Sequence, residues 1–300
     1  MITEMKKIKQ ITIYRKSIDG SAADDDKGIL MSKEVFHPDF DKPVLQEQYG
    51  VEGNLEQSTE FVYDDNGFLI RQTLKEADGM VTEERSFEPD KNRRIAREYL
   101  HYADGSRDSI TYVYDEKGNV VRKETVDADG EVDEISEMAY QDGYLLHHVV
   151  KDGDGDVVAA HRYVYEDGLP REVSHFDGMA ESGQKRVYSY DDAGNRESVL
   201  VYDDSDNLVE RFLFENDDQG RPVKIVEENR KKKNTIRMQY EKHGNVCFQE
   251  EFDLKGNLVS RIERKYDDDG LLLESKIEAV IPSIGTTHSY IVTQEYDFYE

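Results

Sequence analysis

Residues 151–158 read KDGDGDVV and place carboxylates at Asp152, Asp154 and Asp156. That alternation is how a calcium loop begins, but such a loop needs Gly after the third acid and Glu at its twelfth position. Val157 and Tyr163 stand there instead. Gly and Asp are also the residues that favour tight turns, so a hairpin turn is the expectation. His147 and His148 are adjacent and would face opposite sides of a strand, whereas His161 and Tyr163 would share a face. His101 and His175 stand apart from these, and no pair has zinc-ligand spacing. Cys247 is the only cysteine, which excludes an internal disulfide and reads as a partly buried structural thiol. There is no phosphate loop and no G-x-S-x-G. With 66 Asp and Glu, pairs at the separation a glycosidase uses arise by chance on the surface. The chain therefore reads as a non-enzyme. It offers no catalytic, cofactor-binding or metal-binding residue, and no cofactor is expected.

What must position these groups is a repeat. An aromatic residue precedes an acidic turn at Tyr63, Phe87, Tyr114, Tyr140, Tyr165, Tyr190, Phe214, Tyr240 and Tyr266, about every 25 residues. A second turn falls halfway, as in ADGM after Ala77, ADGE after Ala128 and LKGN after Leu254. Seven or eight residues separate the turns, an ordinary strand length, so each unit is a β-hairpin. In YDDNG, YDEKG, YDDAG and YDDDG the Asp opens a type I turn and the Gly closes it with positive φ. Gly67, Gly118, Gly194 and Gly270 are the expected positions; YEDGLP reads as a turn containing Gly168, with a proline that the turn tolerates.

Most of the repeated aromatics have an apolar residue two positions earlier, for example Phe61, Tyr112, Met138, Tyr163, Tyr188, Phe212 and Met238. Residues two apart share a strand face, so stacked copies would align aromatic columns, which we expect to form the core. Charges such as Arg122, Glu124, Arg211 and Glu263 occupy the other face. The expected fold is all-β: tandem hairpins forming one long, twisted, coiled antiparallel sheet of about eighteen strands, roughly 85 Å across if flat. Residues 1–48 read as an N-terminal cap or irregular β segment, with the acidic loop SAADDDKG and the segment FHPDFDKP. Residues 49–278 are the repeat array. Residues 279–300, with IPSIGTT and YDFYE, read as a C-terminal cap. The basic run RKKK at 230–233 replaces a mid-repeat turn and reads as a solvated loop.

YDDNGFLIRQT, YDEKGNVVRKET, YDDAGNRESV and YDDDGLLLESK resemble the YD repeats of bacterial Rhs-type proteins, over residues of about 49 to 275. Short aromatic-Gly hairpin repeats of the MORN-like group are a second comparison, but the YD dipeptides and the spacing favour the first. The Rhs resemblance implies a spiralling antiparallel sheet, which in large members forms a shell around a toxic cargo. No Asp-Pro pair is present, so the family's self-cleavage motif is not visible.

Apolar residues are 37% of the chain and charged residues 35%, against about 45–50% apolar for an average domain, so a thin core is expected. The 19 Tyr and 11 Phe argue against disorder. A net charge of -27 repels nucleic acid and anionic membranes and favours a basic partner. MITEMKKIKQITIY lacks the apolar run of a signal peptide, and no stretch nears the roughly 18 apolar residues of a membrane helix. The expected location is the bacterial cytoplasm. The expected function is a non-catalytic protein-binding module. One concrete version is an immunity or chaperone-like protein holding a basic toxin or secreted protein. Recognition of carbohydrate or a cell surface by an exposed aromatic ribbon is the alternative, and mimicry of nucleic acid a third.

Overall fold

The structure is a computed structural model that describes residues 6–18, 27–281 and 286–300. Most of the acidic loop SAADDDKG and the centre of IPSIGTT lie outside the described residues. The strands are β1 (Ile8–Ser17), β2 (Ile29–Phe36), β3 (Pro43–Tyr49), β4 (Leu55–Tyr63), β5 (Leu69–Glu76), β6 (Val81–Pro89) and β7 (Ile95–His101). Next come β8 (Arg107–Tyr114), β9 (Val120–Val126), β10 (Val132–Gln141), β11 (Tyr144–Asp152), β12 (Val157–Glu166), β13 (Leu169–Asp177) and β14 (Ser182–Tyr190). The chain ends with β15 (Arg196–Asp203), β16 (Leu208–Asn216), β17 (Pro222–Asn229), β18 (Lys233–Tyr240), β19 (Val246–Phe252), β20 (Leu258–Tyr266), β21 (Leu272–Ile281) and β22 (Thr286–Phe298).

Each strand pairs antiparallel with the next, as the hairpin repeat requires. The expectation of an open, coiled ribbon is wrong, because the sheet closes. β1 pairs antiparallel with β22, from Ile8 opposite Phe298 to Ser17 opposite Tyr290. The result is a 22-stranded barrel in which no edge is left bare. The cause lies in the end segments. IKQITIYRKS and TTHSYIVTQEYDF are themselves β-rich strands, and two open edges would each leave a row of unpaired backbone groups. Tyr299 adds to the seam, its N–H donating to Lys7 and its hydroxyl to the Phe36 carbonyl at 2.6 Å.

The turns follow the expected chemistry. The Asp64 carbonyl accepts the Gly67 N–H at 2.9 Å, and the Asp64 N–H donates to the Phe68 carbonyl at 2.9 Å. Asp64 Oδ1 accepts two more backbone N–H groups, from Asn66 and Phe68. Gly67, Gly118, Gly194 and Gly270 have φ of 77°, 91°, 83° and 86°. Glu241 replaces the Asp in one turn and still accepts from His243 and Asn245. Two turns differ. Asp142–Gly143 and Asp167–Gly168 have positive φ at both central residues, the two-residue type I′ form.

The expected aromatic core is also absent. Phe68, Tyr99, Val199 and Val201 are the buried hydrophobic residues among those described. Close backbone approaches join each strand only to its neighbours. The accessible surface is 19208 Å², against about 13,000 Å² for a compact monomer of this mass. Twenty-two strands at ordinary tilt enclose a tube about 45 Å wide between backbones. A hollow tube with both faces open accounts for the excess surface.

Gly67→Ala and Gly79→Ala separate the backbone cost of a turn from its packing. Both glycines have positive φ, which costs an alanine about 1–2 kcal/mol. A Cβ at Gly67 would also lie 2.8 Å from the Phe40 ring, while one at Gly79 meets nothing. Urea denaturation should show Gly67→Ala as the more damaging; equal midpoints would refute this account of the turn.

Candidate binding surfaces

The barrel has two chemically different faces. Paired residues share a face, and following the register round the barrel connects Phe61, Tyr112, Met138, His161, Val199, Phe212 and Met238. This is the aromatic face. The other carries ion pairs that bridge adjacent strands, among them Lys75–Glu60 at 2.7 Å, Arg211–Glu228 at 2.6 Å and Arg261–Glu250 at 2.6 Å. Partly exposed pairs of this kind contribute roughly 0–1 kcal/mol each. They set register more than stability.

Along β12, Arg162, Val164 and Glu166 are exposed, while His161, Tyr163 and Tyr165 between them are half-buried. β18 repeats the contrast, with Arg237 and Gln239 exposed beside Met238 and Tyr240.

His148, His161 and His175 stand at paired positions on β11, β12 and β13, on the aromatic face. Ring centroids are 5.7 Å apart for His148–His161 and 4.4 Å for His161–His175, with Tyr163 at 6.4 Å from His161. His147 faces the other side, opposite Arg162. Burial, then the charges of His175 and His148, holds His161 below the usual imidazole range. Elsewhere on this face, Glu98 is buried and satisfied by Arg85 and by the Tyr112 hydroxyl at 2.9 Å. Burial and Glu98 push the Tyr112 hydroxyl well up.

The remaining candidate groups are engaged in structure. Asp152 Oδ1 accepts the N–H groups of Asp154 and Asp156, so KDGDGDVV is a hairpin turn. Among the described residues, no group of three or more His, Cys, Asp or Glu is arranged to hold a metal. Cys247 is half-buried, with Sγ 3.5 Å from the Gln239 carbonyl. His101 meets Ser86 at 2.7 Å. In the basic turn, Lys232 pairs with Glu227 at 2.7 Å and Lys233 with Glu228 at 3.3 Å.

The tyrosine of the YD pair has a role that the sequence reading missed. Tyr63, Tyr114, Tyr190, Tyr240 and Tyr266 each donate a hydroxyl hydrogen bond to a backbone carbonyl at the start of the preceding strand: Pro43, Ile95, Pro170, Pro222 and Val246. A basic residue beside that carbonyl lies over four of these rings, closest for Arg94 on Tyr114 at 4.0 Å and Arg221 on Tyr240 at 4.4 Å. Where Phe214 lacks the hydroxyl, Asn216 donates to the Arg196 carbonyl at 2.9 Å instead. Tyr165 sits at a type I′ turn and packs on Tyr144, 4.8 Å between centroids. The available signal was the Pro, Ile or Val standing about twenty residues before each tyrosine.

A scan against protein-family models finds no match, and a search of curated proteins finds none, so no family model supports the YD-repeat resemblance. Solved structures give weak likenesses. The TcdB2-TccC3-Cdc42 structure aligns at a TM-score of 0.37 and 11% identity, over 97% of this chain and 21% of that chain. A porin-like protein from Bacteroides uniformis aligns at 0.37 and 9%, over 98% of both chains. One from Bacteroides vulgatus aligns at 0.33 and 9%, over 64% of this chain and 93% of that one. Scores this low carry no argument about function. No helix of the described residues is long and apolar enough to cross a membrane, which does not bear on strands.

Two titrations bound the stability of these surfaces. His161 has a lowered pKa, so its contribution is complete above about pH 6.5 and is lost as pH falls through the folded value. Burial raises Tyr63, Tyr114, Tyr240 and Tyr266, so theirs is complete below about pH 10 and is lost as pH rises through the folded values. Urea midpoints measured against pH should fall on both sides of that window. His161→Gln should flatten the acid limb and Tyr114→Phe the alkaline one. Limbs unchanged by both substitutions would contradict the assignment.

Proposed function

We propose that the protein is a non-catalytic binding module that holds a basic protein partner, with the aromatic face lining the tube. The observation behind this reading is the uncovered aromatic face, seen in the surface excess of the barrel. The exposure contrast along β12 and β18 supports the orientation. On a curved sheet with neither face covered, side chains of the concave side converge and shield one another. The net charge of -27 supports the choice of partner, because it steers a basic protein toward the barrel and repels polyanions. An immunity or chaperone-like role toward a basic toxin or secreted protein is the concrete form of this reading.

Carbohydrate recognition is the second reading, favoured by the same uncovered rings, Tyr163 among them. Capture from the source organism's lysate at about 0.05 M and about 0.5 M salt brackets weak and strong screening. One basic protein, retained at low salt and weakened at high salt, is the expected result. No protein at either salt, together with quenching of tyrosine fluorescence by a soluble polysaccharide, would move the assignment to the second reading.

A further inference from the structure

The two mouths of the barrel differ in a way that local turn chemistry does not require. The turns after even-numbered strands form one rim, and those after odd-numbered strands form the other. Both use the same turn, with Gly79, Gly130 and Gly155 matching Gly67, Gly118 and Gly194 in φ. On the first rim several of the residues that open the following strand have a carbonyl held by a tyrosine hydroxyl, as at Pro43, Ile95 and Pro222, while Tyr144, which opens β11, is 41% exposed. On the second rim four such residues, Val81, Val132, Val157 and Leu208, are 49%, 37%, 42% and 45% exposed, whereas Leu55 and Leu258 are half-buried. The tips of this rim are apolar as well: Val51, Met80, Met179 and Leu254 are 69%, 59%, 92% and 73% exposed, each on a different turn. No large exposed hydrophobic residue lies in a described turn of the first rim. Exposed carboxylates interleave with the second-rim apolar residues, among them Asp78, Asp129, Asp154 and Asp204.

We propose that the second rim is the docking surface for the barrel's partner, and that the partner presents a surface both apolar and basic. This inference rests on the binding reading above. Apolar side chains interleaved with acids on most described turns of this rim, the basic 230–233 turn excepted, are complementary to a basic amphipathic polypeptide. A second copy seated rim to rim would set acidic turn against acidic turn, with the 230–233 turn as the basic exception, and like charges in apposition are unfavourable. An anionic lipid surface is repelled by the same carboxylates.

The triple variant Met80→Gln, Met179→Gln, Leu254→Gln removes apolar surface without changing charge, at positions too exposed to affect folding. Two labelled peptides of roughly 20 residues serve as probes at about 0.05 M salt: an amphipathic Lys/Leu helix and a Lys/Ser peptide of equal charge. Fluorescence anisotropy should show the wild-type protein preferring the Lys/Leu peptide by about tenfold or more. The triple variant should lose that preference and keep its affinity for Lys/Ser. An unchanged preference in the variant overturns the rim assignment and leaves the acidic binding module standing. A wild-type dimer in sedimentation that the variant abolishes makes a second copy the occupant and also overturns it. Failure of both peptides to bind the wild type defeats the binding reading itself, and this inference with it.

Discussion

The backbone ladder, closed on itself between β1 and β22, is the constraint on which the molecule depends. A domain of this size ordinarily rests on a packed core, yet few side chains here are buried. What remains is cross-strand pairing, and pairing is complete only when the sheet has no ends. Closure makes every strand an interior strand. It also explains why the terminal segments depart from the repeat: they must match each other across the seam, not the next hairpin.

From that constraint follows a division of labour between the rims. On one, tyrosine hydroxyls tie five of the turns to the strand before, four of them with a cation stacked over the ring. Arg93 reaches from one turn to Asp64 in another at 2.6 Å, extending the tie along the rim. On the other, cations also stack on rings, as Lys185 does on Tyr202, but among the described turns no tyrosine hydroxyl holds a strand-opening carbonyl, and apolar tips face solvent. A tube with one braced mouth and one sticky mouth is suited to receiving a partner from a single end. The aromatic face between the mouths, with its histidine ladder, would meet whatever enters.

Much of this was legible in the sequence because hairpin chemistry is local. Asp followed three residues later by Gly fixed the turns, the spacing of Tyr63, Tyr114 and Tyr190 fixed the repeat, and adjacency fixed His147 and His148 on opposite faces. The failures were non-local. The pairing of Ile13 with Gln294 joins residues from opposite ends of the chain, and no repeat period reports it. Aromatic columns at Tyr112 and Phe212 looked like a core because period-2 patterning marks a face and not what covers it. Tyr140 and Tyr165 share the repeat spacing of the aromatics, but the Asp-Gly pairs after them make the tighter type I′ turn. The apolar rim escaped because Met80, Met179 and Leu254 fall in turns, where no periodicity draws attention to them.

The hollow, closed barrel is tested most directly by small-angle X-ray scattering of the protein in dilute solution. A tube of twenty-two strands has a radius of gyration of about 23 Å and a central deficit in its distance distribution. A value of about 19 Å would mean a collapsed, compact chain. A value of roughly 30 Å or more would mean an open ribbon. Either would contradict the closed tube.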